Sequence, residues 1–266
     1  MKLFPKIILI SLILYLFSML FFNLFQEKFI FQNIKLDSNY SFSFEQNFEE
    51  ITLNTKNNSI INALLFKAEN PKGVLLYFHG NKGNLVRWGE IASYFTKYDV
   101  DVFVIDYRSY GKSKGVFDEN SMYKDAQACY NYLKDIYSEN KISIYGRSLG
   151  CTFAVKTAAL NNPKQLILES PFYNLKDVAK YHYPFLPFKF LLKYKFNTNE
   201  FISNVLCKTT IFHGTMDKVV PLSSGEKLYK KSNLSITSFF TINGGTHHNL
   251  FDFSLYQDEI FTLFKN

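Results

Sequence analysis

The hydrophobic positions of this chain follow two different patterns. From Ile7 to Gln26 there is no charged residue, and the run IILISLILYLFSMLFFNLFQ is interrupted only by Ser11, Ser18, Asn23 and Gln26. A helix of about 20 such residues crosses the roughly 30 Å hydrocarbon layer of a bilayer, so residues 7–26 predict a transmembrane anchor. Residues 27–48 have no strong periodicity and read as a juxtamembrane lead-in. Beyond them, short apolar runs alternate with longer helical patterns. Strands are expected at Ile60–Phe66, Val74–Phe78, Asp101–Ile105, Ile142–Tyr145, Leu166–Leu168, Thr209–Phe212 and Ser238–Ile242. Helices are expected at Leu85–Tyr98, Ser121–Ser138, Ser148–Leu160 and Asp252–Phe264.

Strands that are apolar on both faces and separated by helices predict an α/β domain over residues 49–266, with a mostly parallel central sheet flanked by helices. Residues 171–200 break the rhythm: the segment is long and aromatic, and carries Pro171, Pro184 and Pro187. Such a connection reads either as a lid or binding insertion over the sheet or as a packed surface excursion.

Composition narrows the possibilities. A chain of 266 residues, 47% of them hydrophobic, buries one sizeable core. The 30 Lys and Arg against 23 Asp and Glu give a net +7, but the basic residues are spread along the chain. That distribution fits solubility or attraction to anionic lipid rather than nucleic-acid binding. Cys129, Cys151 and Cys207 lie far apart and form no metal-ligand spacing. Lys2 and Lys6 precede the apolar run, whereas Glu27 and Lys28 cancel after it, so residues 1–6 are expected in the cytoplasm and the folded domain on the outer face. The run exceeds the ~7–15 apolar residues of a secretory signal and no small-x-small site follows, which favours an uncleaved anchor.

The candidate chemistry centres on Ser148. Ile142-Ser143-Ile144-Tyr145 leads into Gly146-Arg147-Ser148-Leu149-Gly150 and then into the helical run CTFAVKTAAL. This is a GxSxG motif in the strand–turn–helix setting of a nucleophile elbow, where glycines relieve crowding around a strained serine. A serine hydroxyl becomes nucleophilic only when a base takes its proton, and the base needs an acid to hold its tautomer. In the order Ser, then Asp, then His, the acid candidate is Asp217, in His213-Gly214-Thr215-Met216-Asp217-Lys218-Val219-Val220-Pro221 at a strand end. Of the five histidines, His79 and His213 precede glycines at strand ends and read as structural, and His182 lies upstream of Asp217. The base is therefore His247, with His248 as the alternative, in Gly244-Gly245-Thr246-His247-His248-Asn249-Leu250. The expected oxyanion donors are the backbone N–H groups of Leu149 and, from the loop His79-Gly80-Asn81-Lys82-Gly83-Asn84, of Asn81.

The segments YFHGNKGN, VIDYRSYGKSKG, YGRSLG, HGTMDKVVP and GGTHHNL occur in an order that resembles the BEM46-like branch of the α/β-hydrolases, which includes membrane-anchored bacterial proteins and the eukaryotic ABHD13 and ABHD17 types. FQEKFIFQ and YHYPFLPFKFLLKYKFNTNEFI resemble that branch's entry segment and proline-bearing insertion. The resemblance covers most of residues 26–266. It implies a Ser–Asp–His esterase-like or thioesterase-like hydrolase that uses no metal or organic cofactor. Its substrates would be acyl esters or thioesters, membrane-borne ones included. A peptidase or acyltransferase on the same fold, or a membrane-tethered binding protein without turnover, are the alternatives.

Overall fold

The computed structural model describes residues 3–55 and 59–265. Helix α1 (Leu3–Ile30) opens the chain and contains the whole expected anchor, running one turn beyond it at each end. Its apolar part is long enough to cross a membrane. Lys6 lies within α1, while Lys2 lies outside the described residues.

Eight strands form one sheet among the described residues: β1 (Phe48–Thr55), β2 (Ser59–Phe66), β3 (Gly73–Phe78), β4 (Val100–Ile105), β5 (Ile142–Arg147), β6 (Gln165–Glu169), β7 (Lys208–Gly214) and β8 (Thr237–Ile242). Their order is β8-β7-β6-β5-β3-β4-β2-β1. β1 and β2 pair antiparallel, as do β2 and β4; every other pairing is parallel. Seven of these strands overlap the expected ones. β1 is additional: FEEITLNT alternates between half-buried and exposed, as an edge strand facing solvent does, and lacks the continuous apolar run that marks the inner strands.

Helices cover both faces. On one, α3 (Glu119–Lys134), α4 (Gly150–Leu160) and α6 (Leu222–Lys231) bury Met122, Cys129, Phe153 and Leu228 against Leu76, Ile144 and Leu168. On the other, α2 (Leu85–Ser93) and α7 (Ser254–Lys265) bury Trp88, Tyr256 and Ile260 against Leu75, Tyr145 and Phe212. The α2 and α3 N-termini are capped by the side chains of Asn84, which accepts from Val86 N, and Asp118, which accepts from Ser121 N.

The segment read as a lead-in is part of this body. Phe31 is buried and stacks on Phe117 with ring centroids 4.1 Å apart. Gln32 and Asn33 pair in parallel with Lys82 and Gly83. Phe44 packs so closely on α2 that a Cβ at Gly89 would fall 2.4 Å from its ring. Aromatic residues without helix or strand periodicity leave no pattern to read, yet each fills a gap in the tertiary surface.

Residues 171–200 divide in two. Helix α5 (Leu175–His182), capped by Asn174, and the turn after it stand out from the sheet, whereas Tyr194, Phe196 and Thr198 are buried in the main core.

A buried ion pair ties the helical layer to the sheet. Arg108 Nε and Nη2 donate to Asp125 Oδ2 and Oδ1 at 2.7 and 3.0 Å, and Thr55 Oγ1 donates to Oδ1 at 2.7 Å. Removing one partner of such a pair strands the other charge away from water, so Asp125→Ala should lower stability by about 3–5 kcal/mol. Denaturant melts of the two full chains in detergent measure the difference.

Candidate active site

Ser148 sits where β5 ends and α4 begins, at φ 51°, a left-handed conformation that costs energy for a residue with a side chain. The flanking glycines make this turn possible. A Cβ on Gly146 would fall 2.7 Å from both Ala154 Cβ and Cys151 Cα, and one on Gly150 only 2.0 Å from the Phe78 carbonyl oxygen. Ser148 N donates to Glu169 O at 2.9 Å, which anchors the turn to the end of the neighbouring strand.

Asp217 follows β7 and His247 follows β8, so the three parallel strand ends bring the three residues together. His247 Nδ1 lies 2.7 Å from Asp217 Oδ2, and His247 Nε2 lies 3.0 Å from Ser148 Oγ. With Nδ1–H donating to the carboxylate, Nε2 is free to accept the serine proton. Asp217 Oδ1 accepts from Val219 N and Val220 N at 2.9 and 2.8 Å, which fixes the carboxylate plane. Burial acts to raise the Asp217 pKa, but the hydrogen bond and charge of His247, the Val220 amide and the nearby His213 outweigh it and hold the carboxyl below its ordinary value.

The register of the two adjacent histidines is decided by the loop. Asn249 Oδ1 accepts from both Thr246 N and Thr246 Oγ1 at 2.7 Å, and Arg147 Nη2 donates to the His247 carbonyl at 3.2 Å. His247 is thereby turned inward. His248 is exposed, its ring edge-on to His247. Desolvation, followed by the charges of His247, Arg147 and Arg87, lowers the His248 pKa. Of the other histidines, His79 Nε2 faces Asp106 Oδ1 at 3.2 Å, His213 Nε2 lies 2.9 Å from Val220 O, and His182 Nε2 lies 2.9 Å from Val219 O.

The loop after β3 is held by its carbonyls. Tyr107 OH donates to His79 O at 2.7 Å, His79 Nδ1 lies 2.5 Å from Gly80 O, and Trp88 Nε1 donates to Lys82 O at 2.7 Å. Asn81 O accepts from Tyr110 OH at 2.7 Å and from Gln32 N at 3.0 Å. The amides of Asn81 and Leu149 have no acceptor among the described residues, and both residues line the same cleft as Ser148. Asp106, fully buried, supports this loop by accepting from Leu85 N at 3.1 Å while facing His79.

The sequence reading missed a second layer behind the histidine loop. Arg147 and Glu169 occupy paired positions on β5 and β6, both buried, with Nε and Oε1 3.2 Å apart. Tyr145 OH donates to Glu169 Oε2, and Tyr145 and Tyr256 share a 2.6 Å hydrogen bond. The available signal was two opposite charges, each ending an otherwise apolar strand. Only pairing of the strands makes them partners.

The cleft above Ser148 has a volume of about 330 Å³. Its walls are Phe22, Phe29 and Ile30 from α1, Leu175, Val178 and Tyr183 from the insertion, and Val219 and Val220 beside Asp217.

Comparison with known proteins agrees with this architecture. Residues 69–198 match a family described as serine aminopeptidase, S33. The chain is 32% identical over 228 residues to an uncharacterized protein of Acanthamoeba polyphaga mimivirus, covering 77% of this chain and 76% of that one. It is 35% identical over 150 residues to protein bem46 of Schizosaccharomyces pombe, and 30% identical over 190 residues to the lysophosphatidylserine lipase ABHD12 of Danio rerio. These matches cover 53% and 62% of this chain but only 50% and 48% of those two relatives. The esterase Pf2001 of Pyrococcus furiosus shares the fold, with a TM-score of 0.70 at 16% identity over 87% of this chain and 98% of that one. With the strand–elbow–helix unit and the parallel sheet in place, the chain belongs to the BEM46-like branch of the α/β-hydrolases and is a hydrolase of that fold.

Proposed function

We propose that the protein hydrolyses ester or thioester bonds of acyl substrates through an acyl-enzyme on Ser148. The observation that carries this reading is the continuous Ser148–His247–Asp217 hydrogen-bond chain opening onto an apolar cleft. Ser148 Oγ attacks the carbonyl carbon as its proton passes to His247 Nε2, and Asp217 stabilises the imidazolium. The oxyanion accepts hydrogen bonds from the Asn81 and Leu149 amides. Collapse expels the alcohol or thiol, which takes the proton from His247. Water, deprotonated by the same nitrogen, then releases the carboxylic acid.

The aminopeptidase description of the matching family offers a second reading. A peptide's charged N-terminus needs a carboxylate to receive it, and among the described residues no Asp or Glu lines this cleft. That absence favours an uncharged acyl chain.

The triad reading predicts that a fluorophosphonate probe labels the full chain and that Ser148→Ala abolishes both labelling and turnover. His247→Ala should lower kcat by roughly 10³ or more, whereas His248→Ala should cost less than about tenfold. The reverse ranking in p-nitrophenyl ester assays would move the base to His248.

The Asp217 carboxyl is held below its ordinary pKa, so its contribution to stability is complete above about pH 4 and is lost as pH falls through the lower folded value. The stability gap between the parent and Asp217→Asn should therefore be open at about pH 5 and close as pH falls below about pH 4. Thermal unfolding in detergent across that range measures it.

We place the N-terminus in the cytoplasm and the hydrolase domain on the outer face, on the strength of Lys2 and Lys6 preceding the apolar run. In a bacterial host, a C-terminal alkaline phosphatase fusion should be active and a fluorescent-protein fusion dark; the opposite pair would overturn this orientation.

A further inference from the structure

Gln26 lies in an apolar helix yet is buried, and its amide is fully used. Nε2 donates to Asn23 O at 3.0 Å and Leu191 O at 3.1 Å, and Oε1 accepts from Lys193 N at 2.7 Å. Beside it, Glu27 Oε1 accepts from Lys193 Nζ at 2.7 Å and Tyr194 OH at 2.6 Å. Further back along α1, the Phe22 ring packs on Tyr183 at 4.8 Å, and Tyr15 OH donates to the Phe185 carbonyl at 3.2 Å. The insertion therefore runs alongside α1 from Glu27 back to Tyr15, which is about 18 Å at 1.5 Å per residue.

Where α1 spans a bilayer, that path enters it. Glu27 and Lys28 are the first charges after the apolar run, and the hydrocarbon layer is about 30 Å thick, so a loop level with Tyr15 lies within hydrocarbon when α1 spans it. Most of the loop suits that solvent; its one charge, Lys189, has its ammonium over the Phe190 ring and a stem long enough to reach toward the headgroups. Phe185 is 88% exposed and Phe190 79% exposed, which is unfavourable in water and favourable in lipid. Pro184 and Pro187 carry no N–H to leave unsatisfied, and the Phe185 carbonyl already has its Tyr15 donor.

The cleft over Ser148 lies between these same two elements, with Phe22 and Phe29 on one side and Val178 and Tyr183 on the other. The end of α1 also touches the loop that carries the Asn81 amide, since Asn81 Nδ2 donates to Ile30 O at 3.0 Å.

We propose that the hydrolase domain sits on the bilayer with residues 183–190 immersed in the adjacent leaflet, and that the cleft between α1 and the insertion is a lateral portal through which the acyl chain of a membrane-resident ester reaches Ser148. The anchor is then one wall of the acyl-binding site as well as a tether. The portal, unlike the immersion of the tip, rests on the acyl-hydrolase reading given above.

Two experiments on the full chain in phosphatidylcholine nanodiscs separate these statements. The native Cys129, Cys151 and Cys207 are buried, so a fluorophore can be placed on Phe185→Cys, or as a control on Leu160→Cys at the far end of α4 from the site. The label at 185 should be quenched by nitroxide on lipid acyl chains and shielded from aqueous iodide, with the label at 160 showing the reverse; iodide quenching equal at both positions would overturn the immersion.

For the portal, the Phe185→Glu/Phe190→Glu double variant should hydrolyse soluble p-nitrophenyl acetate within about twofold of the parent, while its rate on a long-chain acyl ester embedded in the nanodisc falls at least roughly tenfold. Ala179→Trp, which places an indole in the cleft, should lower the ratio of long-chain to acetyl ester turnover by at least about tenfold. Unchanged ratios in both variants would overturn the portal. A parent chain that turns over neither ester would instead sink the acyl-hydrolase reading, and the quenching result would still decide the immersion.

Discussion

The close approach of the strand-to-helix turn at Ser148 to the end of β3 is the contact on which the rest of the site depends. A methyl group at Gly150 would sit 2.0 Å from the Phe78 carbonyl oxygen, and one at Gly146 would run into α4. Without either side chain, α4 starts directly above β5, and the left-handed Ser148 projects between the loops after β3, β7 and β8. The same approach brings the Leu149 and Asn81 amides to one cleft. A widening of a few tenths of an ångström here would separate the Ser148 hydroxyl and Leu149 amide, on one side of the contact, from the Asn81 amide on the other.

Around that contact the backbone is held by buried polar groups, each with a distinct load. Tyr107, Tyr110 and Trp88 donate to the His79, Asn81 and Lys82 carbonyls of the loop after β3. Arg147, neutralised by Glu169, holds the His247 carbonyl from behind. The Asp217 carboxylate is fixed by two amides before it meets His247. Buried donors and acceptors of this kind are costly when unpaired, which makes the arrangement specific: a shift of any loop leaves a charge or a carbonyl without its partner.

The N-terminal helix joins this system at its C-terminal end. Ile30 and Gln32 bond to Asn81, Phe31 enters the core, and Gln26 and Glu27 clamp the insertion. Among the described residues, the apolar N-terminal helix and the cleft over Ser148 are consequently continuous, with no free linker between them.

Much of this was legible along the chain. The charge-free run from Ile7 to Gln26, the inner strands and the GRSLG turn are local patterns, because a membrane span, a doubly buried strand and a strained turn each leave a signature in consecutive residues. The order of Ser148, Asp217 and the histidine pair followed from strand ends that a parallel sheet must bring to one edge. Which of the two histidines turns toward Ser148 was not local: His247 is turned inward by Asn249 and Arg147, the latter 100 positions away. The Arg147–Glu169 pair required the β5–β6 register, the edge strand β1 lacked a continuous apolar run, and the lead-in aromatics had no period at all. The meeting of α1 with the insertion joins residues more than 160 positions apart through single hydrogen bonds and ring contacts. Such contacts depend on where two surfaces meet in space, and only the tertiary structure decides that.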